Sequence, residues 1–247
     1  LYLPFVARNY SPSYRAPWTA TPPASPIETP LPPEECQRYI RQDAVSYANL
    51  YKGSNRNDKY LPFDDMGGDC TSFTSQALWA GCLRDPREKS SDLQPTYWYD
   101  KVALKDPNLR EGDWSTWIYA SELYKFLTAV LDYTAIEHEG SVPYIHNVNE
   151  TGARDLEWLN WLNSNRHFIQ EGDVAFLDQD FGNWSHAVFV VGWGPQTYFP
   201  NQTQLDPNIQ KPLVVEHSTT FADNNWQPRA IDNTGKPIDR IAIVHIN

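Results

Sequence analysis

The hydrophobic period of this chain changes near residue 170, and that change constrains the fold more than any other feature. Before it, apolar residues recur at helical spacing. Ile40, Ala44, Tyr47, Ala48 and Tyr51 form one face, and Leu123, Phe126, Leu127, Val130 and Leu131 form another. After it come four short β-branched or aromatic runs separated by turn formers, GDVAFLD, SHAVFVVGW, KPLVVEHST and DRIAIVHIN. Helices first and strands later predict an α+β domain, with N-terminal helices packed on an antiparallel sheet.

Four helices are expected. The first starts behind Pro33, with Glu34 and Glu35 in its opening turn, and stops at Gly53. The second runs from about Cys70 to Trp79, with Phe73, Ala77 and Leu78 toward the core and Gly81 near its end. The third lies in ASELYKFLTAVLDY and the fourth in ARDLEWLNWLNSN, while residues 83–118 read as polar and turn-rich. Residues 1–33 differ from all of this. The stretch APWTATPPASPIETPLPP is dense in proline, which fixes φ and removes backbone donors, so it reads as an extended spacer ahead of a domain at 34–247.

A hydrophobic fraction of 40% supplies a full core, which excludes disorder for most of the chain. A net charge of −11 lacks the cation excess that grips phosphate backbones or anionic lipid, so neither nucleic acid nor a membrane surface is expected as a partner. No apolar run reaches the roughly 18 residues that a membrane span needs. No leader is visible, and a start at Leu1 suggests a trimmed or mature form. Sparse lysine beside abundant Trp, Tyr, Asn and Pro suggests an extracytoplasmic protein. Of three cysteines at least one is unpaired within the chain; Cys36 could pair with Cys82 and leave Cys70 free, a point the sequence leaves open.

Cys70 stands in GGDCTSFTSQ, at the start of the second helix. A helix start carries partial positive charge and unpaired N–H groups, which favour a thiolate and can receive an oxyanion. Gly67 and Gly68 let the backbone turn into the helix and a substrate approach closely. A nucleophile also needs a base. His186 opens the run SHAVFVVGW, and His217 ends the run VVEHST on a neighbouring strand; one imidazole would serve as base and the other would orient it. Asp69 is expected to fix the loop or cap the helix, Gln76 to make a buried helix contact with some reach to the site, Asp173 to stabilise a turn, and Trp184 to shape a cleft. His138, His146, His167 and His245 receive no role. Paired C-x2-C or H-x3-H spacings and an EF-hand pattern are missing, so no metal and no cofactor are expected.

These motifs resemble the amidase-domain family of bacterial proteins and, more distantly, the NlpC/P60 cysteine peptidases. GGDCTSFTSQALWAGC is similar to the nucleophile motif, with DCSGF as its peptidase counterpart. EGDVAFLD is similar to GDLVFF, SHAVFVVGW to HVGIYLG, VVEHST to IHAS, and DRIAIVHI to the closing strand. The resemblance covers roughly residues 35–247. It implies a papain-like fold, amide hydrolysis of the bacterial cell-wall type, Cys70 as nucleophile, His186 as base and His217 as third residue. Ser72 stands where the family often has Asn, and Cys82 where it often has Gly; segments 83–118 and 137–168 look idiosyncratic. A monomeric hydrolase acting on peptide or peptidoglycan-type amides is the leading expectation. The alternatives are a sugar- or peptide-binding module on the same fold, and an acyltransferase or deamidase using the same thiol.

Overall fold

A computed structural model describes residues 36, 38–63, 69–89, 98, 115–139, 157–178, 183–195, 210–217 and 240–247. The spacer expected at 1–33, the Gly67–Gly68 turn and most of 83–118 lie outside the described residues. Helix α1 (Arg41–Tyr51) begins later than the acidic pair at 34 and 35 suggests. The reason is a double tether just upstream. Cys36 is disulfide-bonded to Cys82, and the extended Ile40 donates its N–H to the Gly81 carbonyl at 2.7 Å. Gly81 permits this approach, because a Cβ there would sit within 2.6–2.7 Å of Tyr39 and Ala44. At its other end α1 stops before Gly53, whose φ of 66° is one that side-chain-bearing residues rarely adopt.

Helix α2 (Asp69–Ala80) is the centre of the domain: every residue in it except Cys70 is buried. A helix buried all round must satisfy its polar side chains internally. Ser75 donates to the Trp117 carbonyl at 2.9 Å and accepts from the Trp98 indole at 3.1 Å. Ser72 accepts from the Trp117 indole at 3.3 Å and from the Gln76 amide at 3.1 Å. Tyr47 of α1 donates to Gln76 at 2.7 Å. Trp98 and Trp117, from a stretch that reads as polar loop, thus pack around α2, and Trp117 belongs to a short helix α3 (Ser115–Ile118).

Helix α4 (Ala120–Lys125) continues as a π-helical turn, Phe126–Val130. The wider turn, closed by the Leu131 N–H on the Phe126 carbonyl at 3.1 Å, breaks the expected stripe. Leu123, Phe126 and Leu127 are buried, while Val130 swings to the surface. The fourth expected helix is α5, residues 157–164.

Five strands, β1 (Ala135–Glu139), β2 (Val174–Asp178), β3 (Trp184–Pro195), β4 (Gln210–Val215) and β5 (Arg240–Val244), form one sheet in the order β1-β5-β2-β3-β4. Every pairing is antiparallel, so the fold is α+β as expected. β2 to β5 coincide with the four apolar runs. β1 was not expected, because an edge strand reading AIEHE exposes alternate residues and lacks an apolar run. Along each inner strand, alternate side chains serve two cores. Val174, Phe176, Ala187, Phe189, Ala242 and Val244 join the core with α1, α2 and α4. Ala175, Leu177, Val188, Val190, Ile241 and Ile243 pack with Trp158 and Leu162 of α5. Among the described residues no helix is long and apolar enough to cross a membrane.

Candidate active site

Three chain ends meet at one side of the sheet. β3 and β4 run antiparallel, so the start of one lies beside the end of the other. His186 sits near the start of β3, just past an irregularity in the pairing: Trp184 opposes Asp178 and His186 opposes Leu177, leaving Ser185 as an extra residue. Such a bulge re-aims the side chains beside it. Glu216 follows the last residue of β4, and its carbonyl accepts the Gly53 N–H at 2.8 Å, which ties it to the end of α1. α2 packs across β3, with the Thr74 hydroxyl 3.4 Å from the Ala187 carbonyl, and brings its first turn to the same place.

The result is a cluster of Cys70, His186 and Glu216 whose ligating atoms all lie within 4.8 Å of one another. His186 Nε2 and Glu216 Oε2 are 2.5 Å apart. Glu216 is fully buried and His186 is largely covered. Cys70 is the free cysteine, since the other two are bonded to each other. Among the described residues this is also the one His/Cys/carboxylate set compact enough for a metal ion, although the His186 nitrogen nearest the carboxylate is already engaged.

The electrostatics differ from the sequence expectation for the thiol. Burial pushes the Cys70 thiol up; the His186 ring beside it pulls it down in part, and the Glu216 charge adds to the rise. Desolvation at this site outweighs the favourable helix start. For His186, burial opposes the charge, but Cys70 and Glu216 together overcome it and hold the ring well above its ordinary value. The proton shared by this cluster is therefore held on the imidazole.

The other expected site residues are placed elsewhere. His217, expected as the orienting residue, points to Asp69: its Nδ1 is 3.2 Å from Asp69 Oδ2, and its ring lies 4.3 Å from that of Phe73. The side chain on His186 is that of Glu216, which the sequence reading passed over. Neighbouring residues of an extended chain face opposite ways, so Glu216 and His217 cannot both meet His186. A glutamate ending an apolar run was the available signal, because a carboxylate buried there requires a partner. Asp69 fixes the loop as expected: Oδ1 accepts the Phe63 N–H at 3.3 Å, and Oδ2 pairs with Arg56 at 2.9 Å. Burial raises the Asp69 carboxyl, but His217, the Phe63 N–H and Arg56 together bring it below its ordinary value. Gln76 is held in the core by Tyr47 and Ser72, away from the thiol. Trp184 is buried against Tyr124 and Phe176, with Arg240 over its ring at 4.7 Å. Asp173 does hold its turn, accepting the Gln170 N–H at 2.7 Å.

A sequence profile described as "Putative amidase domain" matches residues 38–238. The chain belongs to this amidase family. Its membership points to hydrolysis of C–N amide bonds, and the matched span contains Cys70, His186 and Glu216. No curated protein and no solved structure matches the chain.

Proposed function

We propose that this amidase is a cysteine amidohydrolase in which Cys70 is the nucleophile, His186 the proton carrier and Glu216 the residue that orients and charges the ring. The observation that carries this reading is the 2.5 Å contact between His186 and a buried Glu216, with the free thiol in the same cluster. The Cys70 thiolate, whose proton rests on His186, bonds through sulfur to the amide carbon as the carbonyl π pair moves to oxygen. In this reading the N–H groups of the first turn of α2 receive the oxyanion. Collapse breaks the C–N bond while His186 returns the proton to the departing amine. Water then attacks the thioester and gives a proton to His186; the C–S bond breaks, the acid leaves, and the thiolate stands again beside the protonated ring. A cysteine at a helix start packed on an antiparallel sheet that carries the histidine supports a papain-like, NlpC/P60-like relationship.

The substrate class we assign is a peptide amide of the cell-wall type, met outside the cytoplasm by a monomeric enzyme. The Cys36–Cys82 disulfide supports that compartment, because such bonds persist under oxidising conditions. The net charge of −11 favours neutral or cationic substrates over acidic wall polymers. The binding-module reading draws on the burial around Cys70, which works against the thiolate. One assay separates the two. Peptidoglycan fragments and a peptide-amide panel are incubated with native protein, Cys70→Ala and His186→Ala, and released amines are counted by mass spectrometry. Native protein should release them, with each variant slower by about a thousandfold or more. Equal release by Cys70→Ala sinks the proposal.

A further inference from the structure

We infer that Asp69 and His217 form a clasp that sets the distance between the nucleophile and the carboxylate that orients the proton carrier, making them positioning residues for the chemistry proposed above, on which this inference rests. The argument is one of adjacency. Asp69 immediately precedes Cys70 on α2, and His217 immediately follows Glu216 beyond β4. The Asp69 Oδ2–His217 Nδ1 contact of 3.2 Å thus joins the two segments one residue away from the catalytic cluster on both sides.

The clasp is built to be rigid. Both side chains are more than nine-tenths covered. Asp69 is held from two further directions by the Phe63 N–H and Arg56, and His217 is backed by the Phe73 ring from the next turn of α2. One hydrogen bond and two ion pairs thus converge on the residue before the thiol. Arg56 is the partly exposed end of the network, at 30% side-chain exposure, so solvent reaches the arrangement from that side alone among its described partners.

The test uses the full chain and needs no substrate. Cys70 is alkylated with iodoacetamide at pH 7.5 and the modified site is mapped by mass spectrometry. Asp69→Asn and His217→Leu should each slow the reaction about tenfold, as His186 loses its alignment with the thiol. Their double variant should be no slower than either alone, since both break one link. His217→Asn keeps a donor where Nδ1 stood and should react at close to the native rate. The sign discriminates. If Asp69 acted only through its charge, removing a negative group beside the thiol would favour the thiolate and speed alkylation. Faster alkylation in Asp69→Asn, or additive losses in the double variant, overturns the clasp. If His217→Leu does not fold, the near-isosteric Asp69→Asn and His217→Asn carry the comparison. His186→Ala separates the two levels. A slowed rate there beside unchanged clasp variants overturns the clasp alone, whereas an unchanged rate in His186→Ala overturns the proposed chemistry and the clasp with it.

Discussion

Two of the carboxylate–histidine pairs at the strand ends differ in what surrounds them. Glu216 meets His186 near the start of β3. Asp173 meets His245 at 3.1 Å, and its backbone pairs with Val190, four residues further along β3, or roughly 13 Å at the rise of an extended strand. Around Asp173 the acceptors are filled by protein. Oδ1 takes Arg41 Nη1 at 2.8 Å and the Ile246 N–H at 3.2 Å, and Oδ2 takes the Gln170 N–H. Arg41 goes on to the Glu171 carbonyl at 2.5 Å and to the Ile246 carbonyl. That cluster ties α1 to the β2 turn and the chain's last residues. At the other pair the imidazole is set against a free thiol at the one position of α2 that is not fully buried. A buried carboxylate–histidine pair is therefore no mark of catalysis by itself. The distinction lies in whether the remaining neighbours are fixed donors that lock the charge or a group that can exchange a proton with it.

Substitution of each carboxylate by its amide should dissociate stability from activity. The largest effect is expected at Asp173→Asn. It leaves the Arg41 charge without its partner in a mostly covered site, a loss of about 3 kcal/mol in urea or thermal unfolding. Activity per folded molecule should persist. Equal stability of Asp173→Asn and native chain would show that the two pairs are not different in kind. Glu216→Gln should do the reverse, with amide hydrolysis falling about 100-fold, or about 2.7 kcal/mol, and a smaller change in unfolding. Because Glu216 is one of the two groups holding the His186 ring up, its midpoint followed by NMR should drop toward the ordinary value of about 6.5. A ring that titrates unchanged in Glu216→Gln would remove Glu216 from the site.

Much of the first pair and little of its partner choice was legible in the sequence. Cys70 and His186 are marked by their positions, one behind two glycines at a helix start and one at the head of an apolar run. Glu216 was not, because period-two alternation tells which residues share a face only when the register of the neighbouring strand is known, and the bulge at Ser185 shifts that register beside His186. The strands read correctly where both faces are buried, as in β2, and failed at β1, whose one-sided burial carries no apolar run. Likewise α3 and the tryptophans around α2 were hidden in a polar stretch. Their role depends on hydroxyls of α2 that look like surface residues until the helix is seen to be enclosed.

The smallest expected effect concerns the acid side of the stability curve, and it tests whether Asp69 is held through its charge or through neutral hydrogen bonds. Its folded pKa is depressed, so its contribution is fully present above its unfolded value of about 3.9 and is lost as pH falls through the lower folded value. His186 has the opposite sign: its folded pKa is raised, so its contribution is present below about 6.5 and lost as pH rises through the higher folded value. Urea unfolding of native chain and Asp69→Asn from pH 2 to pH 9 should give curves separated by a constant gap above about pH 5. That gap should close as the native carboxyl takes up its proton in acid. The separation between native chain and His186→Ala should instead narrow on the alkaline side. A gap for Asp69→Asn that persists unchanged to pH 2 would mean that the carboxylate's charge contributes nothing. The Asp69 contacts would then act as neutral hydrogen bonds, unlike the Arg41–Asp173 ion pair.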